Sequence, residues 1–155
     1  MPEVPSFELA ERHRPMTARV FVDTSYIIAR FLQHNAHHAL AMALAQHMVA
    51  VRTQLITTRA VLAEVGDAFA KRPTRAAGIH ILDTLESDPA LQIIPASDAL
   101  YHRARALYGA RADQEWGFTD CIAFVVMQTL GITEALTADR HFTQAGFRAL
   151  LRHDS

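Results

Sequence analysis

The chain is short of lysine, of cysteine and of net charge. Only Lys71 among its fifteen basic residues is a lysine, and the formal charge is −1. Nothing global therefore marks it as a partner of nucleic acid or of membranes. The arginine bias has two readings, genomic composition or function, since arginine suits bidentate phosphate contacts. The single cysteine, Cys121, excludes an internal disulfide and fits a reducing compartment. The N-terminus lacks an apolar signal core. The most apolar helix in prospect, around Cys121 to Met127, is far too short to span a bilayer. A cytoplasmic protein without membrane contact is expected. What remains is ordinary for one globular domain: 155 residues, half of them apolar.

No repeats and no low-complexity tract interrupt the chain. Residues 1–17 hold three prolines and mixed charges without a clear period, and they read as a flexible tail ahead of a domain over 18–155. Met16 is an alternative start to Met1. From Arg19 the pattern alternates. Short apolar runs predict strands at 20–22, 55–57, 91–94 and 135–137, with a last edge strand at 147–151. Helices are expected over 24–32, 36–51, 59–71, 74–85, 97–108 and 119–130, and one helical turn at 140–144. Pro73 closes the third of these, Ser97 caps the fifth and Gly131 ends the sixth. Strands separated by helices imply parallel pairing through right-handed crossovers. The expected fold is α/β: an open, mostly parallel sheet of four to five strands with helices on both faces.

Four acids stand at informative places. Asp23 follows Val20-Phe21-Val22, and Asp139 follows the run at 135–138, so both fall beyond the carboxyl ends of strands, where open α/β sheets build their sites. Each also reads as a helix N-cap, and Asp139 as an ion-pair partner of Arg140. Glu64 lies at the margin of an apolar stripe formed by Val61, Leu62, Val65, Ala68 and Phe69, at roughly 100° per residue. A plain surface role is the alternative. Asp67 points away from the stripe. Asp120 opens the most apolar helix, where Thr119 is a plausible cap and the helix dipole favours a carboxylate. Carboxylates brought into one pocket repel unless a proton or a metal relieves them. They suit a hard cation, Mg²⁺ or Mn²⁺.

In this order and spacing the segments Val20-Phe21-Val22-Asp23-Thr24-Ser25, Leu62-Ala63-Glu64-Val65, Trp116-Gly117-Phe118-Thr119-Asp120-Cys121 and Thr137-Ala138-Asp139-Arg140-His141-Phe142 resemble the motifs of the PIN-domain family. The resemblance runs from about Arg19 to Leu151 and implies a metal-dependent endoribonuclease. Water would attack the phosphodiester in line, leaving a 5′-phosphate and a 3′-hydroxyl. It implies that Asp23, Asp120 and Asp139 hold the cation, with Glu64 as ligand or water-orienting base. Thr24, Ser25 and Thr119 would support them. Asp113 matches an acid that precedes the third motif, where it assists the site or shapes its loop. Small single-domain members are often VapC-type toxins, paired with a small antitoxin protein and commonly homodimeric.

RNA would need local positive charge, and Arg59, Arg111 and Arg140 are the candidates. Without a basic run, selection of a structured RNA is a better fit than tight binding to any sequence. Trp116 has two roles open to it, stacking on a base or packing its loop. His34, His37, His38 and His47 cluster in sequence but offer little zinc geometry, since His38 and His47 lack i, i+4 spacing. His141 has the choice of a phosphate or the surface. Three rivals stand beside the nuclease. A haloacid-dehalogenase-type phosphatase needs a second Asp two residues after Asp23, where Ser25 stands. A phosphorelay receiver expects a lysine after a late strand, and Lys71 is mid-chain. A non-catalytic PIN-like module binding RNA or protein is the third.

Overall fold

The computed structural model describes residues 6–153. Five strands form one sheet: β1 (Arg19–Val22), β2 (Gln54–Thr58), β3 (Leu91–Ile94), β4 (Glu134–Leu136) and β5 (Arg148–Ala149). Their order is β3-β2-β1-β4-β5, and all four pairings are parallel. The helices are α1 (Ser6–Glu11), α2 (Thr24–Phe31), α3 (His38–Val51), α4 (Arg59–Ala68), α5 (Arg72–Glu86), α6 (Asp98–Ala110), α7 (Phe118–Leu130) and α8 (Arg140–Gln144). From β1 the chain steps outward through β2 to β3, then returns past β1 to β4 and β5. Right-handed crossovers therefore place α2 to α5 on one face and α6 to α8 on the other. The reversal falls between β1 and β4, where such a sheet opens a crevice at its carboxyl edge.

The central strand is the most enclosed. Val20, Phe21 and Val22 are buried, as the uninterrupted apolar run requires for a strand covered on both faces. Helix α7 buries Cys121, Ala123, Phe124, Val125, Val126 and Met127 and ends at Gly131, whose φ of 67° is a left-handed cap. Phe124 is the hub of its packing. It meets Trp116 and Phe142 edge to face, each with ring centroids 5.0 Å apart, and lies 5.6 Å from Phe147. Phe142 in turn lies 6.1 Å from Phe21 of β1. One aromatic cluster thus fixes α7, α8 and β1 relative to one another, and these elements carry or flank Asp23, Asp120 and Asp139.

Several boundaries differ from the sequence expectation. Helix α4 stops at Ala68, with Phe69 as its C-cap. Pro73 does not lie between helices. It occupies the first turn of α5, where its missing N–H has no intrahelical partner to lose. Helix α7 begins at Phe118 with Gly117 as N-cap, so Thr119 is inside the helix and does not cap it. The edge strand expected over 147–151 is reduced to Arg148–Ala149.

The reading of residues 1–17 as a tail is also corrected; of these, 1–5 lie outside the described residues. Helix α1 packs on α3, and Ala10 and His13 are buried. The cause is Glu134, a carboxylate only 3 % exposed at the start of β4. It accepts hydrogen bonds from the backbone N–H groups of Met16 and Thr17, from the Thr17 hydroxyl at 2.6 Å and from the Arg148 guanidinium at 2.6 Å. That guanidinium also donates to the carbonyls of Arg14 and Arg12. A buried charge needs partners, and the N-terminal segment supplies them.

Candidate functional site

Asp23 is the first residue beyond β1, and its backbone N–H still pairs with the carbonyl of Leu136 on β4. Parallel register sets Val22 opposite Leu136, so the next residues, Asp23 and Thr137, are neighbours. Asp23 does not cap α2 through its side chain. Its Oδ2 instead accepts from Thr137 Oγ1 at 2.7 Å and from Ser25 Oγ at 3.1 Å. Each hydroxyl also accepts from backbone: Asp139 N–H reaches Thr137 at 3.0 Å, and Ala138 N–H reaches Ser25 at 3.0 Å. Both hydroxyl protons are thereby directed to one carboxylate. Two strand-end turns are sewn together through it.

Asp23 is 6 % exposed. Burial pushes its carboxyl up to about 6, and the neighbouring Asp120 adds to the rise, against the opposing pull of the Thr137, Thr24 and Ser25 hydrogen bonds. Thr24 is buried too, and among the described residues its Oγ1 has no hydrogen-bond partner.

Asp120 sits in the first turn of α7, as its sequence position implied. Its Oδ2 accepts from Gly117 N–H at 3.2 Å and faces His141 Nδ1 at 2.9 Å. Its pKa is raised, chiefly by burial and further by Asp139, although the His141 and Gly117 hydrogen bonds act the other way. Asp139 caps α8, accepting from His141 N–H at 2.9 Å. The Arg140 side chain is exposed, and the partner of Asp139 is His141, whose Nδ1 lies 3.4 Å from Asp139 Oδ1. Asp120, Asp139 and His141 each bring one ligand atom within 4.8 Å of the others.

Three acids of the four are therefore coupled: Asp23 to Asp120 and Asp120 to Asp139. Glu64 is exposed on α4 and is not a member of the compact group. Asp67 is exposed as well. Thr119 is half-buried one residue before Asp120. Asp113 is exposed and forms a two-pronged pair with Arg111, at 3.0 and 3.1 Å. The Arg111 guanidinium also lies 4.9 Å from the centre of the Trp116 ring. This stack shapes the loop ahead of α7. Arg59 faces Glu86 at 3.9 Å. A groove of about 870 Å³ runs beside the start of α7, lined among others by Tyr101, Arg105, Tyr108, Arg111 and Trp116.

Two participants carried no clear role in the sequence. Thr137 was detectable, because aligning the run before Asp23 with the run before Thr137 in parallel register sets the two side by side. His141 stands two residues after Asp139, but a histidine there signals nothing by itself. Only the approach of α7 to α8 brings Asp120 to it.

Among the described residues no helix is long and apolar enough to cross a membrane. The donor set suits a divalent cation: burial and a neighbouring acid raise the pKa of both Asp23 and Asp120, and a positive ion would relieve them.

The family model of the PIN domain matches residues 20–148. No curated protein matches the chain. Among solved structures it is similar to VapC20 of Mycobacterium tuberculosis, described as a sarcin–ricin loop cleaving toxin, with a TM-score of 0.72 and 24 % identity over 83 % of this chain and 95 % of that one. It is similar to VapBC2 of Rickettsia felis, solved on a fragment of promoter DNA, with a TM-score of 0.62 and 16 % identity over 84 % of this chain and 96 % of the other. FitAcB of Neisseria gonorrhoeae follows with 0.56 and 16 %, over 84 % and 94 %.

Proposed function

The chain belongs to the PIN-domain family, and from that premise we propose that it is a divalent-metal-dependent endoribonuclease. One observation carries the reading: Asp120 and Asp139, with His141 between them, lie beside the buried Asp23 at the crevice where the strand order reverses. Asp23, Asp120 and Asp139 would hold Mg²⁺ or Mn²⁺, and the exposed Glu64 would serve as an outer ligand or water-orienting base. Such an ion, when bound, neutralises charge on a phosphate and makes a water more acidic. The protein's own part is to hold its carboxylates in place before the ion arrives, through Thr137, Ser25 and the Gly117 N–H. The attacking water forms the new P–O bond while the 3′-oxygen leaves with a proton. A 5′-phosphate and a 3′-hydroxyl result.

The groove beside α7 supports an RNA path that leads away from Asp120. Arg111 and Trp116 sit there as a preformed cation–aromatic pair, and Arg140 lies exposed next to Asp139. Arg59 stands at the end of β2. The overall charge of −1 leaves these local groups to supply the attraction. Likeness to VapC20 and VapBC2 supports a toxin of a toxin–antitoxin pair, acting in the cytoplasm as a homodimer and silenced by a small antitoxin protein.

The test is cleavage of structured RNA by the purified chain with Mg²⁺ or Mn²⁺. Cleavage to 5′-phosphate ends is expected, lost with EDTA and in Asp120→Asn. RNA binding without cleavage under either metal would leave a non-catalytic module. Hydrolysis of small phosphate esters alone would favour a phosphatase.

A further inference from the structure

We propose that His141 is itself a metal ligand, adding one imidazole to the carboxylates of Asp23, Asp120 and Asp139, so that the centre selects Mn²⁺ over Mg²⁺. The inference rests on the metal reading above and adds a nitrogen donor to a site that four acids alone would make all-oxygen.

The distances support it. Adjacent ligands of an octahedral ion held at roughly 2.1 Å stand about 3 Å apart. His141 Nδ1 lies 2.9 Å from Asp120 Oδ2 and 3.4 Å from Asp139 Oδ1. The ring is held on two sides. Its own backbone N–H is bound by the Asp139 side chain at 2.9 Å, and the next residue, Phe142, is wholly buried against Phe124 and Phe21. The imidazole is therefore set in place by α8 and is not a wandering surface group. Its side chain is 21 % exposed, so its position is partly enclosed while an ion can still reach it.

Proton accounting is simple. Both neighbours of Nδ1 are carboxylates, so without metal Nδ1 carries the hydrogen and donates it. A bound cation would displace that hydrogen, which the neutral ring would regain on Nε2 through solvent exchange. The carboxylates stay where they are and exchange a hydrogen-bond donor for a metal. Selectivity follows from donor type. Mg²⁺ prefers oxygen and parts reluctantly with water, whereas imidazole suits first-row transition ions.

The deciding measurement is pulsed electron paramagnetic resonance of Mn²⁺ bound to the full chain. An imidazole ¹⁴N modulation is expected, replaced by that of ¹⁵N when histidine alone is isotopically labelled, and absent in His141→Ala. In the same variant Mn²⁺ affinity should fall about tenfold or more, with the affinity for Mg²⁺ changing by less than roughly threefold. Circular dichroism checks that the variant is folded, and the labelled wild type needs no substitution at all. Bound Mn²⁺ without nitrogen modulation overturns the proposal and leaves the metal reading standing, with His141 reduced to positioning Asp120. Modulation that persists in His141→Ala overturns it as well, by assigning the nitrogen to another residue. Equal losses for the two ions do the same. Failure to bind either ion removes both the proposal and the reading it rests on.

Discussion

Thr137 and Asp23 stand side by side at the ends of adjacent parallel strands, joined by a 2.7 Å hydrogen bond into a carboxylate that is 6 % exposed. Strand register alone sets this pair, before any helix contributes. The hydroxyl is the strongest local force that keeps Asp23 charged in a place that resists charge. Thr137→Val keeps the shape and removes the donor. A loss of about 1–3 kcal/mol is expected for the ionised carboxylate left short of a partner. Chemical denaturation at pH 8 checks it. The loss should shrink at pH 4, where Asp23 is protonated and needs less.

Asp23 also gives the metal-free protein a pH dependence with a definite sign. Its folded pKa, about 6, lies above the ordinary value of 3.8. The native state therefore holds the proton more tightly than the unfolded chain. The group's stabilising contribution is full below pH 3.8 and is lost as pH rises through about 6. Two units correspond to about 3 kcal/mol. Asp23→Asn removes the penalty. It should raise the melting temperature at pH 7.5 in EDTA, leave it nearly unchanged at pH 4, and abolish cleavage. A variant less stable than wild type at pH 7.5 would contradict the assignment.

Phe124 couples stability to the site. It is fully buried between Trp116, Phe142 and Phe147. Phe124→Ala should cost about 3–5 kcal/mol. Because α8 loses its brace, metal affinity should fall too, although no ligand has changed. Calorimetric titration with Mn²⁺ under conditions where the variant remains folded separates the two effects.

Arg111 predicts the reverse pattern. It is half-buried, paired with Asp113 and stacked near Trp116. Arg111→Ala should leave the melting temperature unchanged, raise KM for RNA and flatten the dependence of binding on salt. An unchanged salt slope places RNA elsewhere.

Glu134 holds the N-terminal segment to the domain. Glu134→Ala strands Arg148 and frees the N–H groups of Met16 and Thr17, at a cost of about 3–5 kcal/mol. Hydrogen exchange at those two amides should accelerate more than exchange in β1.

Much of this was legible in the residues. Apolar runs of strand length separated by helical periods led to an α/β sheet, and the acids after β1 and β4 fell at one edge because parallel strands end together. Less visible were features that depend on side chains meeting across the fold. Glu134 looked like an ordinary acid before a short strand, and only its burial showed why Met16 and Thr17 are held to the domain. Pro73 looked like a stop signal, although a helix's first turn accepts proline equally well. Thr119 was the residue type expected of a cap, but Gly117 took that place because Asp120 reaches back to its N–H. His141 became informative only when α8 met α7.

The strand order has one more consequence. Asp23 directly follows the first strand, whereas Asp120, Asp139 and His141 come from the last third of the chain. Severed in the loop between α6 and α7, the protein would yield two fragments, neither able to bind the ion alone. Recovery of Mn²⁺ binding on mixing them would report that the halves had docked, making the centre a built-in sensor of its own assembly.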